Sequence, residues 1–443
     1  MHIHLPDKVK KIIETIESGG YEAYAVGGCV RDSILGRVPD DWDITTSASP
    51  QEIKNLFRRT VDTGIQHGTV TVIMEREGFE VTTYRIDGEY EDSRHPKEVT
   101  FTSNLTEDLK RRDFTINAMA YNDREGLVDA FGGIKDMKAR LVRCVGNPRE
   151  RFGEDALRMM RAVRFSAQLG YGMEEGTKTA VKEMAENLRN ISAERIQTEL
   201  VKLLTSPRPE DLRICYETGI TRVILPEFDR CMETEQENPH HCYTVGEHIL
   251  HSLNGVKADK ALRLAMLFHD IGKPETKFTD EKGIDHFHGH AQAGEDITRR
   301  VMKRLRFDNA TRDKAARLVL YHDYSVEASA RSVRRAMNKI GEDIFPCLFD
   351  VKRADIGAQS EYGRAEKLEA LEEIRRIYEK ILEDRQCVSL RTLAVTGKDL
   401  IEAGMEPGKE IGRTLEKLLQ IVLEDPEENS REKLMKYVKG MTS

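Results

Sequence analysis

Two aspartates spaced two residues apart give the first indication of chemistry in this chain. They lie in the stretch GGCVRDSILGRVPDDWDI, residues 27–44, shortly after a pair of glycines. Side chains at i and i+2 of a β-strand point to the same face, so a strand here would place Asp41 and Asp43 side by side. Two carboxylates held so close repel each other unless a cation lies between them. Mg²⁺ suits such a site because it takes oxygen ligands, keeps several waters and bridges to substrate phosphates.

A third acid is available in the following strand-like run, GFEVTTYR. Glu80 alternates there with the apolar Phe79 and Val81, so it points away from the core side of its strand. Three acids on adjacent strands can hold two metal ions for in-line phosphoryl transfer. One ion would activate a 3′-hydroxyl and the other would steady the leaving pyrophosphate. The sequence therefore predicts a catalytic set of Asp41, Asp43 and Glu80.

The glycine pair predicts a phosphate-binding turn. Gly27 and Gly28 end one strand and open a helix, and such a turn presents backbone N–H groups to a phosphate. Arg31, one turn into the helix, can add a charge-assisted contact. A tight turn for the glycines, or a solvated turn for the two aspartates, explains either motif alone. The two motifs together favour function.

The elements that must position these residues change character along the chain. The length of 443 residues suggests about three domains. YEAYAVGG, HGTVTVIME and GFEVTTYRID read as strands, whereas LRMMRAVRFSAQLG and later segments have the apolar spacing of helices. The predicted fold class is an α/β head with a mixed β-sheet, followed by an all-α region.

Composition restricts the class of protein further. Charged residues make up 33% of the chain and hydrophobic residues 39%, which is typical of a soluble globular protein. We find no apolar run of membrane-spanning length and no signal peptide, so we expect no contact with a membrane. The seven cysteines form no C-x-x-C motif, which favours a reducing cytoplasm over a disulfide framework. The net charge of −8 counts mildly against nonspecific nucleic-acid binding.

Several motifs in a fixed order resemble those of one known family. GGCVRD and DWDITTS resemble the nucleotidyltransferase head of class II CCA-adding enzymes and bacterial poly(A) polymerases. The resemblance continues through KRRDFTINAMAYN, VDAFGGIKDMKARLVR, RFGEDALRMMRAVRF and ISAERIQTEL. It implies a nucleotidyltransferase head (1–142), a helical neck with a base-selecting motif (143–206), a helical body (207–384) and a helical tail that contacts tRNA (385–443). It also implies template-independent addition or repair of the 3′-terminal CCA of tRNA from CTP and ATP with Mg²⁺.

The EDALR motif offers a way to choose C and A without a template. Asp155 and Arg158 at i and i+3 of a helix would share one face and present an acceptor beside a set of donors. Cytosine and adenine offer the matching amino donor beside a ring-nitrogen acceptor, whereas uracil and guanine offer the reverse order. Leaving buried polar groups unpaired can give a discrimination of ~10⁴. The resemblance assigns the base edge to Asp155 and Arg158 and the orientation of Arg158 to Glu154, with an ordinary surface salt bridge as the alternative.

The resemblance implies further nucleotide contacts. Arg112, Asp113 and Asn117 match the family's sugar and phosphate contacts, with Asp113 accepting a hydrogen bond from the ribose 2′-hydroxyl. Arg161 and Arg164 match contacts to the triphosphate. Residues 85–101 resemble the flexible loop that the family needs for switching to A. Each of these residues has a structural hydrogen bond as its alternative interpretation, and the loop could be an ordinary exposed loop.

A second group of residues predicts a metal site in the helical body. A His-Asp pair after an apolar helix indicates a divalent transition metal such as Mn, Ni or Fe, because imidazole and carboxylate suit these ions. The order H…HD…D resembles the HD phosphohydrolases, which hydrolyse phosphoesters; a cyclic phosphate at a damaged tRNA end is one such substrate. The matching residues are His248, His269, Asp270 and Asp355, with His290, His322 and Lys273 as candidates for a second metal or for phosphate. The alternative is that this region serves only as a scaffold.

Residues 396–440 resemble the tail of Gram-positive-type CCA enzymes, which implies tRNA-phosphate contacts by Lys398, Lys409 and Arg413. A packed helical cap with solvated charges is the alternative.

Two other functions of the whole chain stay open. One is A-only addition or poly(A) tailing by the same chemistry. The other is an HD phosphohydrolase whose head only binds nucleotide or RNA. The oligomeric state is not indicated by the sequence.

Overall fold

The computed structural model describes residues 2–88 and 99–442 and divides into two compact units, Met1–Pro226 and Glu227–Ser443. The first unit combines a mixed sheet with helices, and the second is almost entirely helical. The predicted fold class is thereby confirmed. All seven cysteines are free thiols, as the sequence predicted. In the part of the chain that the structure covers, no helix has both the length and the apolar character needed to cross a bilayer.

A seven-stranded sheet forms the centre of the first unit. The strands of this unit are β1 (Ala23–Val26), β2 (Ile44–Thr46), β3 (Thr60–Gly64), β4 (Thr69–Met74), β5 (Glu77–Thr83), β6 (Arg85–Asp87), β7 (Val99–Phe101), β8 (Ala120–Asn122), β9 (Gly126–Val128), β10 (Leu141–Val142) and β11 (Gly172–Met173). The sheet order is β3-β4-β5-β2-β1-β8-β9. Strands β2 and β5 run parallel, and the other neighbours in this sheet are antiparallel. In the parallel pair, Ile44 at the start of β2 lies opposite Val81, within β5.

Helices cover the sheet and then continue beyond it. The helices of this unit are α1 (Asp7–Ser18), α2 (Gly28–Ile34), α3 (Pro50–Leu56), α4 (Leu105–Lys110), α5 (Gly133–Ala139), α6 (Pro148–Glu154), α7 (Leu157–Leu169), α8 (Glu175–Met184), α9 (Ala193–Leu204), α10 (Leu212–Glu217) and α11 (Ile220–Ile224). Helix α1 buries Val9, Ile12 and Ile16, which lie three and four residues apart on one face. Helix α3 starts with a capping box between Ser49 and Glu52, which satisfies two backbone N–H groups at its first turn.

The helices that follow the sheet pack around α7. Helix α9 packs along α7, and α10 also contacts α7 within the same unit. Residues 209–224, which the sequence assigned to the body, therefore pack with the helices assigned to the neck. The four-part division of the chain stays a prediction, since the structure itself divides only at Pro226.

The second unit is built from long helices around a buried centre. Its elements are α12 (Pro226–Met232), α13 (Val245–Leu253), α14 (Lys260–Phe268), α15 (Lys273–Thr276), β12 (Phe278–Thr279), β13 (Asp285–His286), α16 (His290–Arg304), α17 (Asn309–Tyr321), α18 (Ala330–Ile340), α19 (Phe345–Ala358), α20 (Arg364–Glu383), α21 (Gly397–Glu402), α22 (Lys409–Glu424) and α23 (Arg431–Thr442). Helix α14 is buried from Ala261 to Phe268, and α13, α17 and α19 pack around it. Helices α21, α22 and α23 share a separate apolar cluster that includes Leu400, Leu418 and Leu434.

A buried ion pair between α7 and α9 gives a test of how the first unit is held together. Arg164 Nε donates to Glu199 Oε2 at 2.5 Å, and both side chains are almost fully buried. Because Glu199→Ala leaves the guanidinium buried without its partner, we expect the free energy of unfolding to fall by about 3–5 kcal/mol. Thermal and urea melts would measure this loss. Glu183→Ala is the matched control: it breaks an exposed pair with Arg149 and should cost about 1 kcal/mol or less. Equal losses in the two variants would contradict the assignment.

Candidate active sites

Two of the predicted catalytic acids, Asp43 and Glu80, are neighbours at the point where β2 begins beside β5. Asp41 and Asp43 lie just before β2 and not within it, so the strand prediction for these two positions was wrong. The pairing nevertheless continues, because the N–H of Val26 donates to the carbonyl of Asp43 at 3.0 Å. In the parallel register Ile44 lies opposite Val81, so the residues before them, Asp43 and Glu80, are neighbours. Both line a cavity of about 180 Å³. Their predicted neighbourhood is confirmed, and their catalytic role stays a prediction.

The electrostatics of these acids favour a bound cation. Loss of hydration raises the pKa of Asp43, Arg112 opposes this effect and Asp41 adds to it. Loss of hydration also raises the pKa of Glu80, and repulsion from Asp43 and Asp41 raises it further. A divalent cation bound by oxygen ligands would relieve both costs. The donor set therefore fits Mg²⁺.

Three arginines line the same cavity as Asp43 and Glu80: Arg85, Arg111 and Arg112. The buried Asp108 holds two of them, since Arg111 Nε donates to its Oδ1 at 2.9 Å and Arg112 Nη2 donates to its Oδ2 at 3.4 Å. Burial would raise the pKa of Asp108, but Arg112 and Arg111 outweigh it and lower that pKa. Of these residues the sequence analysis identified only Arg112. The spacing of Asp108, in α4, with arginines at i+3 and i+4, just beyond the end of that helix, was the signal that could have found the anchor.

The predicted glycine turn is present, and the Gly27 N–H in it is bonded to the protein's own backbone. Gly27 has φ +85°, a left-handed conformation, and a Cβ there would lie 3.1 Å from Arg112 Nη1. Its N–H donates to the carbonyl of Met119 at 3.1 Å, so this group already has a partner, and the nucleotide contact of Gly27 stays a prediction. Gly28 begins α2 as expected. Arg31 is only 8% exposed and donates to Asn117 Oδ1 at 2.7 Å and to Asp32, so its phosphate contact stays a prediction.

Asp113 is the centre of a hydrogen-bond network that reaches α7. Its Oδ1 accepts from the N–H of Phe114 at 2.8 Å and from Asn117 Nδ2 at 3.2 Å. Its Oδ2 accepts from Arg161 Nε at 2.8 Å and Nη2 at 2.5 Å. Burial would raise the pKa of Asp113, but Arg161 outweighs it, with help from Arg158 and Asn117, and the pKa falls to about 2. Four donors occupy the acceptor positions of the carboxylate. A ribose hydroxyl would therefore have to replace one of them, and that predicted contact stays untested.

The aromatic ring of Phe165 packs against three guanidinium groups. The distances from the ring centre to the guanidinium carbons are 5.0 Å for Arg31, 5.6 Å for Arg161 and 3.9 Å for Arg164. Such cation–π contacts help to hold like charges together on α2 and α7. Arg164 is only 6% exposed and is already paired with Glu199. Its structural role is therefore evident, whereas its predicted triphosphate contact stays a prediction.

The base-selecting residues lie at a break between two helices. Helix α6 ends at Glu154, Asp155 is extended with φ −143° and ψ 103°, and α7 begins at Leu157. The expectation that Asp155 and Arg158 share one face of a continuous helix was wrong. The physical reason is that Asp155 Oδ1 accepts the N–H of Leu157 at 3.1 Å, so the aspartate stabilises the start of α7.

Arg158 is held by Glu154, as the motif suggested, and by two backbone carbonyls. Its Nη1 donates to Glu154 Oε2 at 2.5 Å, which is the contact on which the predicted orienting role of Glu154 depends. Arg158 also donates to the backbone carbonyls of Arg151 and Arg111, both at 3.1 Å. These contacts fix the guanidinium against α6 and the segment that follows α4. Its role in reading a base stays a prediction.

In the second unit, the predicted histidines and aspartates come together from different helices. His248 lies in α13, His269 and Asp270 directly follow α14, and Asp355 lies in α19. The Nε2 atom of His248 lies 3.2 Å from that of His269 and 2.9 Å from Asp355 Oδ1. The Nδ1 atoms of the two histidines lie near the carbonyls of Ala358 and Met266. Donation from Nδ1 leaves both Nε2 lone pairs facing each other, an arrangement that suits a metal ion.

His248 and His269 lie near Asp270 Oδ2, at 3.5 and 3.4 Å from their Nε2 atoms, and a second pair of histidines lies near Asp270 Oδ1. The Nε2 atoms of His290 and His322 lie 3.2 Å apart, and each is 3.6 Å from Asp270 Oδ1. Their Nδ1 atoms lie near backbone carbonyls at 2.8 and 2.7 Å. A Cβ at Gly272 would clash with the carbonyl of His290, so glycine permits the close approach of α15 and α16. Asp270 can therefore bridge two metal positions.

The buried state of Asp270 supports this interpretation. Its Oδ2 is buried and has no hydrogen-bond partner within the described stretches, although Lys273 Nζ lies 2.8 Å away. Burial would raise the pKa of Asp270, but Lys273 and His269 lower it well below its usual range. An ionised buried carboxylate between four imidazoles fits divalent transition metals. Asp270, His290, His322 and Asp355 line one cavity of about 320 Å³.

Comparisons with known families assign three segments of the chain. The poly(A) polymerase head domain matches residues 23–143. The family described as "Probable RNA and SrmB-binding site of polymerase A" matches residues 170–232, and tRNA nucleotidyltransferase domain 2 matches residues 279–438. The CCA-adding enzyme of Lactobacillus helveticus is 36% identical over 441 residues, which cover 99% of this chain and 98% of that protein. The chain belongs to the CCA-adding enzyme family.

Other members of this family are similar to part or all of the chain in sequence or in structure. The CCA-adding enzyme of Lactiplantibacillus plantarum is 54% identical over 223 residues, which cover 50% of this chain and 53% of that protein. The structure of the Bacillus stearothermophilus CCA-adding enzyme with CTP is 29% identical, with a TM-score of 0.75 over 98% of this chain and 96% of that one. The Thermotoga maritima enzyme with tRNA shares the fold at 19% identity, with a TM-score of 0.60 and full coverage of both chains. Membership of a nucleotidyltransferase family implies a divalent metal ion in the reaction.

Proposed function

We propose that the chain adds or repairs the 3′-terminal CCA of tRNA from CTP and ATP, without a nucleic-acid template. The observation that carries the proposal is the cavity in which Asp43 and Glu80 lie opposite Arg111 and Arg112. Carboxylates for a metal beside arginines for phosphate are the groups that nucleotidyl transfer needs. The family supports the choice of reaction, and the CTP complex of the Bacillus stearothermophilus relative supports the choice of nucleotide.

The carboxylates and the arginines of the head have different roles in the proposed reaction. Asp41, Asp43 and Glu80 would hold Mg²⁺, which when bound activates the tRNA 3′-hydroxyl and neutralises charge on the phosphates. The guanidinium groups of Arg111 and Arg112, fixed by Asp108, would bind the triphosphate and oppose the charge that develops on the leaving pyrophosphate. These positive charges are set before substrate arrives, so little reorganisation is needed during the reaction.

Asp155 and Arg158 would select the base in this scheme. The carboxylate accepts from the amino group of cytosine or adenine, and the guanidinium donates to the adjacent ring nitrogen. Uracil and guanine present a carbonyl and an N–H in the reverse order. Their binding would leave groups of both residues unpaired in a partly buried site.

Arg158→Ala should reduce selectivity among nucleotides before it reduces folding. We expect the preference for CTP over UTP to fall by about 10- to 100-fold, because a lost hydrogen bond to a charged donor is worth roughly 1.5–3 kcal/mol. Single-nucleotide kcat/KM values on a tRNA transcript would measure the ratio, and a thermal melt would check the fold. An unchanged preference for C and A in a folded variant would reject the base-reading role.

Incorporation into three tRNA transcripts tests the proposed function directly. The transcripts end before CCA, after C and after CC, and each receives CTP, ATP, UTP or GTP alone and then CTP with ATP. We expect CCA to be completed on each transcript, followed by a stop. Addition of A only to the CC-ended transcript would make the protein an A-adding enzyme, and long A tracts would make it a poly(A) polymerase. No addition to any transcript would overturn the proposal.

We also propose a second function for the histidine–aspartate site, namely metal-dependent hydrolysis of a phosphoester. The observation that favours it is that two histidine Nε2 atoms face each other near each carboxylate oxygen of Asp270. Mn, Ni or Fe would suit these ligands, and Lys273 would stabilise a phosphate in the same cavity. A cyclic phosphate at a damaged tRNA end is a substrate that would link this site to the transferase. A cytoplasmic location fits both proposed functions.

A further inference from the structure

Asp155 is held from two sides, and one of the two contacts comes from a distant helix. Its Oδ1 accepts from the N–H of Leu157, while its Oδ2 accepts from Arg195 Nη2 at 2.6 Å. Arg195 lies in the first turn of α9, forty residues further along the chain. The orientation of the Asp155 carboxylate is therefore set partly by α9.

The other terminal nitrogen of Arg195 makes no hydrogen bond within the part of the chain that the structure describes. Arg195 Nη1 is buried and has no hydrogen-bond partner among residues 2–88 and 99–442. A buried donor without a partner costs free energy, so a guanidinium used in this way is a poor device for stability alone. Stability alone therefore does not explain an arginine at this position, whereas the contact with Asp155 does explain it.

We propose that Arg195 is a positioning residue for base selection, which rests on the proposed function of Asp155. By fixing Oδ2, Arg195 holds the carboxylate where it meets the exocyclic amino group of cytosine or adenine. A carboxylate free to shift toward the ring position could instead accept from N3–H of uracil or N1–H of guanine. Selectivity thus depends on the carboxylate's position as well as its presence, in the way that second-shell partners orient the ligands of a metal site.

Three variants test the proposal on the full chain. We expect Arg195→Ala to lower the ratio of kcat/KM for CTP to kcat/KM for UTP by about 10- to 100-fold, measured on the transcript that ends before CCA. Arg195→Lys keeps one donor and the positive charge, so it should restore most of the ratio. Arg208→Ala is the control, because Arg208 likewise donates to the carboxylate of Asp211 at 2.9 Å within the same unit. Its ratio should equal that of the unmodified protein.

The outcomes separate a positioning role from a merely structural one. An equal loss of rate for CTP and UTP in Arg195→Ala, with the ratio unchanged, would overturn the proposal. If Arg195→Ala does not fold, Arg195→Gln replaces it, and an unchanged ratio there has the same meaning. Failure of the unmodified protein to add C would reject the proposed function instead. A protein that adds C but whose ratio does not depend on Arg195 would reject only the inference.

Discussion

Asp43→Asn should lower the rate of nucleotide addition by about 10²–10³-fold while leaving the protein folded. The substitution keeps the size of the side chain but removes the charge that would hold a divalent cation beside Glu80. Primer extension with CTP at saturating Mg²⁺ measures the rate. Asp40→Asn is the matched control, because Asp40 is an exposed aspartate of the same segment that does not line the cavity. We expect its rate to stay within a few-fold of the unmodified protein.

The same variant carries a prediction about stability, with a definite sign. The pKa of Asp43 is raised in the folded state, so the folded protein holds this proton more tightly than the unfolded chain does. Ionised Asp43 therefore destabilises the fold at pH values above its raised pKa. Because Asp43 is exposed, solvent screens this effect, so in metal-free buffer at neutral pH Asp43→Asn should raise the melting temperature only slightly. This gain should vanish as the pH falls below about 4. A lower melting temperature in metal-free buffer would show that Asp43 serves structure instead.

Asp270→Asn should remove bound transition metal from the second unit and abolish phosphoester hydrolysis. Asp270 supplies both oxygens on which the two histidine pairs converge, so losing its charge weakens both metal positions. We expect metal content and hydrolysis of a generic phosphodiester with added Mn²⁺ or Ni²⁺ to fall at least about 10- to 100-fold. Nucleotide addition to tRNA should be unchanged.

His251→Ala is the control for the metal prediction. His251 lies on α13 like His248 but stacks on Tyr243 with ring centres 4.2 Å apart, outside the cluster. Its metal content should match that of the unmodified protein. If the unmodified protein holds no metal and does not hydrolyse phosphodiesters with either ion, the helical body is a scaffold and the second proposed function is wrong.

The sequence predicted individual elements well because their signals are local. Alternation around Glu80 predicted β5, and the apolar run before His269 and Asp270 predicted α14. Motif order predicted that the six candidate histidines and aspartates of the second unit would meet, but their distances depend on how helices pack. Asp108 was missed because its importance comes from burial, which a charged residue in a polar stretch does not reveal. Asp155 was misplaced because the side chain's own hydrogen bond to Leu157 competes with helix continuation, and helical spacing does not register such competition. Residues 89–98 of the predicted flexible loop lie outside the described residues.

The break between α6 and α7 has a consequence for how such a protein can evolve. The acids of the transfer site lie in residues 41–80, whereas Asp155 and the guanidinium that holds it lie in residues 155–195. Under the proposed roles, the reaction and the choice of nucleotide are encoded in separate stretches of the gene. A mutation at the short extended joint would then alter which nucleotide is accepted without disturbing Asp43 or Glu80. Under the same roles, related enzymes that add different nucleotides can diverge through changes in this joint and in α9, while the residues of the transfer reaction stay the same.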